Sequence, residues 1–261
     1  MNRIDQLFAG KKKEILSVYM TAGYPELHDT VKILAALQDH GADMVEIGIP
    51  FSDPLADGPV IQHSSQVSLE NGMTLKLLFS QLHNIRETVH IPLVLMGYLN
   101  PILRFGMEEF LKRCNETGID GVIIPDMPPD EYGSDYRSLF EYHGICHPLL
   151  ITPHTTEARI RRITGLSSGF LYLVADASTT GEKSTVKDHQ VDYFRRIGKM
   201  GLNLPGLVGF GISNHASFMT ACDHASGAII GSAFIRALGN QGSLEEKTGS
   251  FIRMIRTGET G

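Results

Sequence analysis

HDTVKILAALQDHGADMVEIGIPFSDPLADGPVIQ, residues 28–62, contains the unit from which the whole chain is built. Its first part sets apolar residues such as Ile33, Leu34 and Leu37 at helical spacing, and Gly41 suits the helix C-terminus. An acid follows, then the short apolar run MVEIG (44–48), then a loop rich in proline and glycine. MEEFLKRCNETGID repeats the pattern and leads into GVIIPD (121–126). Further runs of the same kind are ILSVYMTAG (15–23), PLVLMGY (92–98), HPLLIT (147–152), FLYLVA (170–175), GLVGFG (206–211) and GAIIGS (227–232). Near-continuous hydrophobicity implies strands buried on both faces, as in a parallel sheet. Eight strand-then-helix units without a low-complexity linker predict an α/β fold, a single-domain (β/α)8 TIM barrel over residues 1–261. RIDQLFA, ahead of the first strand, predicts a short N-terminal helix capping the barrel bottom.

Composition fits this reading. The chain has 261 residues, 42% hydrophobic and 20% charged, which is ordinary for a globular protein. A net charge of −6 argues against nucleic acid or an anionic membrane as the main partner. Cys114, Cys146 and Cys222 are odd in number, far apart and in no metal-ligand spacing, so a reduced, cytoplasmic setting is expected. No stretch has the length of a signal-peptide core or a membrane span. The chain contains no tryptophan.

In barrels of this kind the working groups lie at the C-terminal strand ends and on the loops beyond them. EIGIPFSDPLADGPVIQ (46–62) is that place for the second strand, and it carries Glu46, Asp53 and Asp57. Alternation puts Glu46 with Met44 and Gly48 on one face, and Val45 and Ile47 on the other. The β-branched pair suits the helix side, which turns Glu46 into the barrel mouth. A carboxyl there should have a raised pKa and exchange protons near neutrality. The alternative is a structural glutamate paired with a buried base. Pro50, Pro54 and Pro59 stiffen the loop, as a precisely held side chain requires. Asp53 and Asp57 either face a substrate or hydrogen-bond the turn, and the turn role falls more naturally to Asp53. The spacing of these groups does not suit a metal.

Glycine-bearing stretches end the last three strands: STTGE (178–182), GFGIS (209–213) and IIGSAFIRAL (229–238). Gly211 and Gly231 can let backbone N–H groups approach an anion, and Ser232 opens a helix. The loops after strands seven and eight form the common phosphate site of these barrels. Glycines at barrel corners can instead simply relieve crowding. Met96, Met127 and Phe210 suit core or pocket lining, and Tyr172 suits either a pocket hydrogen bond or core packing. His143 and His147 flank a turn and a strand, which does not suit a zinc pair.

PFSDPLADGPVIQ, with Glu46 upstream, closely resembles the signature of the tryptophan synthase alpha subunit family. The resemblance extends through YMTAGYP, MGYLNPI, IIPDMP, GFGIS and IIGSA and covers nearly the whole chain. It implies retro-aldol cleavage of indole-3-glycerol phosphate to indole and glyceraldehyde 3-phosphate. Glu46 then matches the general acid-base, and Asp57 the carboxylate that accepts the indole N–H. Tyr19, Met96 and Tyr172 match pocket positions, the first often a phenylalanine in the family. Gly181, Gly211, Gly231 and Ser232 match phosphate contacts, and Thr180 the mobile-loop threonine. Ser178-Thr179-Thr180-Gly181-Glu182 departs from the family's usual Gly-Val-Thr-Gly-Ala, and Glu182 would repel a phosphate if it pointed inward. The resemblance further implies no cofactor in this chain and a beta subunit carrying pyridoxal phosphate in an alpha2-beta2 complex. Asp53, Pro54, Asn100 and Pro101 match partner-facing positions. The competing readings are another phosphate-sugar barrel enzyme and a barrel kept only to activate a beta subunit. Schiff-base aldolases need a strand-end lysine, and no predicted strand carries one.

Overall fold

The computed structural model describes residues 2–55, 57–175, 188–209 and 211–259. Eight strands run through it: β1 (Ile15–Thr21), β2 (Met44–Gly48), β3 (Leu93–Met96), β4 (Gly121–Ile123), β5 (Leu149–Ile151), β6 (Leu171–Val174), β7 (Gly206–Gly209) and β8 (Gly227–Ile230). They form one parallel sheet in the order β4-β3-β2-β1-β8-β7-β6-β5. A parallel bridge between Gly121 and Cys146 joins the two ends, with Val122 N–H donating to the Cys146 carbonyl at 2.9 Å. The sheet is therefore a barrel, as the sequence predicts.

Every strand but β2 stops short of its apolar run at the C-terminal end. After β4 the reason is visible: Pro125 has no N–H to donate, and Met127 N–H closes a turn onto the Ile124 carbonyl at 3.1 Å. The two helices anticipated from spacing are Thr30–Asp39 and Met107–Glu116. Gly41 (φ 99°) and Gly118 (φ 73°) follow them in the left-handed region that glycine tolerates. The acids after those glycines do more than sequence suggested. Asp43 accepts from Leu16 N–H at 2.8 Å, and Asp120 from Leu93 N–H at 2.9 Å. Each thus clips the start of the preceding strand. Lys11 and Arg256 pair with Asp43, and Arg3 and Arg86 with Asp120.

Two apolar layers result. Leu16, Val18, Val45, Ile47, Leu95 and Val208 pack outward against helices. Ile15, Met44, Val94, Ile123, Leu207 and Ile229 fill the barrel. The N-terminal helix Arg3–Gly10 closes the bottom by inserting Ile4 and Phe8 into that inner layer, Phe8 packing 6.0 Å from Phe170. The top is where polar groups enter.

Candidate active site

β2 turns its side chains as alternation requires: Val45 and Ile47 lie under helices, Met44 lies in the inner layer, and Glu46 faces inward above it. Strand register sets Glu46 between Tyr19 of β1 and Val94 of β3. Glu46 is fully buried, yet no described Arg, Lys or His forms an ion pair with it. Ser17 Oγ donates to its Oε1 at 3.4 Å, while Oε2 has no partner among the described residues. Burial in this low-dielectric pocket pushes the Glu46 pKa up to about 8, with the Ser17 hydrogen bond pulling the other way. The salt-linked structural alternative does not describe this residue.

Asp57 hangs over the mouth from the stiff loop beyond β2. Its N–H donates to the Pro54 carbonyl at 3.0 Å, and Gln62 Nε2 holds its carbonyl at 2.8 Å. Gly58 then caps the helix Pro59–Glu70, with proline at the first helical position. Tyr98 Oη donates to Asp57 Oδ2 at 3.1 Å, and Phe51 packs 5.1 Å from the Tyr98 ring. Burial raises the Asp57 pKa to about 6, and the Tyr98 bond opposes the rise. Asp53, by contrast, is exposed and accepts from Ser52 Oγ at 2.6 Å, so it belongs to the turn. At neutral pH the two inward carboxyls carry opposite protonation, Glu46 mostly neutral and Asp57 mostly ionised.

Two tyrosines complete the cluster, and glycines make room for both. A Cβ on Gly48 would fall 2.0 Å from Tyr19 Oη, and one on Gly209 would fall 2.3 Å from Tyr172 Oη. Relief of crowding is therefore the correct account of these two glycines. Burial, above all, raises both phenol pKa values, and the charges of Glu46 and Asp57 act on both rings. Tyr19, Glu46, Asp57 and Tyr172 are thus electrostatic neighbours at this end of the barrel. Met96 borders them, paired with Gly48 in the sheet and packed on the inner layer.

Beyond β7, Gly211 adopts φ 77° with open space where a Cβ would stand; beyond β8, Gly231, whose Cβ would lie 3.3 Å from Tyr19, precedes the helix Ser232–Leu238. Thr180, Gly181, Glu182 and Phe210 lie outside the described residues. Met127 packs in the outer layer rather than the pocket. His147 is a core histidine whose Nδ1 meets the Val122 carbonyl at 2.7 Å, its ring 4.3 Å from Tyr132. Among the described residues no three His, Cys, Asp or Glu side chains gather as a metal would need. Asn100 is exposed and Pro101 half-buried on the helix Leu99–Phe105. Leu55 (89% exposed) and Leu103 (45%) add apolar surface to the loops beyond β2 and β3.

Sequence reasoning missed Ser17 and Tyr98, the two hydroxyls that hold the carboxyls. A signal existed for each. Ser17, Tyr19 and Thr21 alternate along β1 as polar residues on one face of an otherwise apolar strand, and Tyr98 stands in MGYLNPI.

A family model described as tryptophan synthase alpha chain matches residues 6–257. A tryptophan synthase alpha chain of Flavobacterium psychrophilum is 57% identical over 242 residues, spanning 93% of this chain and 95% of that protein. Among solved structures, the tryptophan synthase alpha chain of Legionella pneumophila is similar with a TM-score of 0.86 at 30% identity, covering 98% of this chain and 96% of that one. A chain in the tryptophan synthase complex of Pyrococcus furiosus matches with a TM-score of 0.85 at 32% identity, covering 94% and 98%.

Proposed function

This chain belongs to the tryptophan synthase alpha chain family, and on that premise we propose that Glu46 and Asp57 divide the chemistry of its reaction between them. The chain is a lyase of tryptophan biosynthesis, cleaving indole-3-glycerol phosphate to indole and glyceraldehyde 3-phosphate. As an alpha chain it needs no cofactor of its own. The carbon–carbon bond to be broken joins indole C3 to a hydroxyl-bearing carbon. Protonating C3 turns the ring into an indoleninium cation and makes that bond labile. Glu46, neutral near pH 7, gives the proton; Asp57, ionised, accepts the indole N–H and stabilises the cation. The Glu46 carboxylate left behind then takes the proton of the glycerol hydroxyl. The bond electrons return to the ring, an aldehyde forms, and Glu46 ends as it began. Two carboxyls in different surroundings hold these two roles apart.

The single observation that supports this reading is the fully buried Glu46 carboxyl, in no ion pair among the described residues, which acts with the Asp57 carboxyl on the same two tyrosine rings. Tyr19, Met96 and Tyr172 line the indole, and Phe210, outside the described residues, is assigned to substrate binding with them. Gly211, Gly231 and Ser232 present backbone and hydroxyl donors to the phosphate, and the family likeness assigns Gly181 and Thr180, outside the described residues, to substrate binding as well. The whole chain acts as one catalytic unit.

The family implies a beta subunit as partner. The finer reading is an alpha2-beta2 complex in which the partner carries pyridoxal phosphate and receives the indole. Asp53, Pro54, Asn100 and Pro101 face it, flanked by the exposed Leu55 and Leu103. The cytoplasm is the compartment this pairing suits. No helix of the described residues is long and apolar enough to cross a membrane.

Indole release from indole-3-glycerol phosphate, measured with and without a beta subunit, tests the proposal. Glu46→Gln should lower kcat by about 10²–10⁴-fold while unfolding no earlier than the parent. Near-normal turnover would remove Glu46 from the mechanism.

A further inference from the structure

The inner face of β1 is polar where the rest of that layer is apolar, and nothing in the reaction above uses its first polar residue. Ser17 is fully buried, in register with Met44 of β2 and Ile229 of β8, and one step above Ile15. Ile15, Met44 and Ile229 all belong to the apolar filling of the barrel. An alanine or valine would suit that layer, and a hydroxyl without a partner would cost stability there. Among the described residues the hydroxyl has one hydrogen bond, to Glu46 Oε1 at 3.4 Å. That is long, as active-site hydrogen bonds often are before substrate tightens them. Oε2, the other oxygen of the same carboxyl, is buried and has no partner among the described residues.

We propose that Ser17 is a positioning residue for the acid: by donating to Oε1 it keeps the transferable proton of Glu46 on Oε2. The carbonyl oxygen of a neutral carboxyl is the stronger acceptor, so while Ser17 donates to Oε1 the O–H belongs on Oε2, the oxygen that Ser17 does not touch. After Oε2 has given up its proton, the hydroxyl still occupies Oε1, and Oε2 is again the oxygen that receives. One atom therefore both delivers and recovers the proton. The same bond holds back the rise that burial imposes on this acid. The neighbouring titratable groups are Tyr19 on β1, Asp57 and Tyr98 beyond β2 and β3, and Tyr172 on β6. The phenols of Tyr19 and Tyr172 ionise above the Glu46 range and Asp57 below it.

This inference rests on the reading of Glu46 as the acid, and the test separates the two. The pH profile of kcat/KM for indole release is recorded for the parent chain, Ser17→Ala, Ser17→Thr and Glu46→Gln. In Ser17→Ala the limb governed by Glu46 should move up by about half a unit to one unit. Its kcat at pH 7 should fall about threefold to tenfold, as expected of a weaker acid with its proton shared between two oxygens. Ser17→Thr, which keeps the hydroxyl, should restore both. The carboxyl C=O stretch, isolated as the infrared difference from Glu46→Gln at pH 6, should shift to higher frequency in Ser17→Ala. An unshifted limb and stretch in Ser17→Ala, with Glu46→Gln inactive, would overturn the assignment of Ser17 alone. Full turnover by Glu46→Gln would instead remove the reading beneath it.

Discussion

Changing pH should switch this enzyme off in both directions, because its two carboxyls must carry opposite protonation. In the proposed mechanism the working form has Glu46 neutral and Asp57 ionised. With values of about 8 and about 6, roughly 0.8 of the molecules are in that form at pH 7. At pH 5 Asp57 is largely protonated and at pH 9 Glu46 is largely ionised, so the working fraction falls to about 0.09 at either end. kcat/KM for indole release should therefore trace a bell centred near pH 7, down about ninefold at pH 5 and pH 9. The substrate phosphate also titrates near pH 6 and deepens the acid side. Asp57→Asn separates the contributions: the acid limb should shrink to what the phosphate alone produces, while the limb near pH 8 stays. Initial rates from pH 5 to 9.5 on the isolated chain decide the matter. A rate that keeps rising through pH 8 would mean that Glu46 works as a carboxylate from the start. An acid limb of unchanged depth in Asp57→Asn would show that Asp57 does not set it.

Gly48→Ala should cost about 1–3 kcal/mol and most of the activity, since its Cβ would meet Tyr19 Oη at 2.0 Å and Cζ at 2.5 Å. Thermal unfolding of a double-mutant cycle with Tyr19→Ala checks this, because the stability loss should largely vanish once the ring is gone. His147 supplies a second pH effect, on stability rather than rate. Burial lowers its pKa from 6.5 to about 4, so the unfolded chain takes up a proton that the folded chain refuses. Stability must then fall as pH drops below 6.5, by about 2 kcal/mol between pH 7 and pH 5. Denaturant midpoints should show that His147→Gln, which cannot titrate, loses this part of the acid sensitivity. Equal acid sensitivity in the two proteins would refute it.

Much of this molecule is written in short-range pattern. Helical spacing closed by Gly41 or Gly118, then an acid, then an apolar run, recurs along the chain and specifies strands, helices and their order. Period-two alternation in MVEIG was enough to turn Glu46 inward, because the faces of a strand are set by residues one and two places away. The proline-stiffened loop was legible for the same local reason, with the turn role falling more naturally to Asp53, although what holds Asp57 over the pocket was not. Contacts between distant parts of the chain decided that. Tyr98 reaches Asp57 from 41 residues away, and Ser17 reaches Glu46 from 29. Gly48 and Gly209 are glycines because Tyr19 and Tyr172, on other strands, occupy the space where a side chain would stand. Asp43 and Asp120 close their turns onto strands already laid down. Even the protonation of the two carboxyls is a tertiary property: each owes its shift mainly to burial, which exists only once the barrel has closed. Sequence alone determined which groups could meet and which way they pointed. The folded barrel decided which of them met and what charge they carry, since strand register and dielectric arise from the whole sheet.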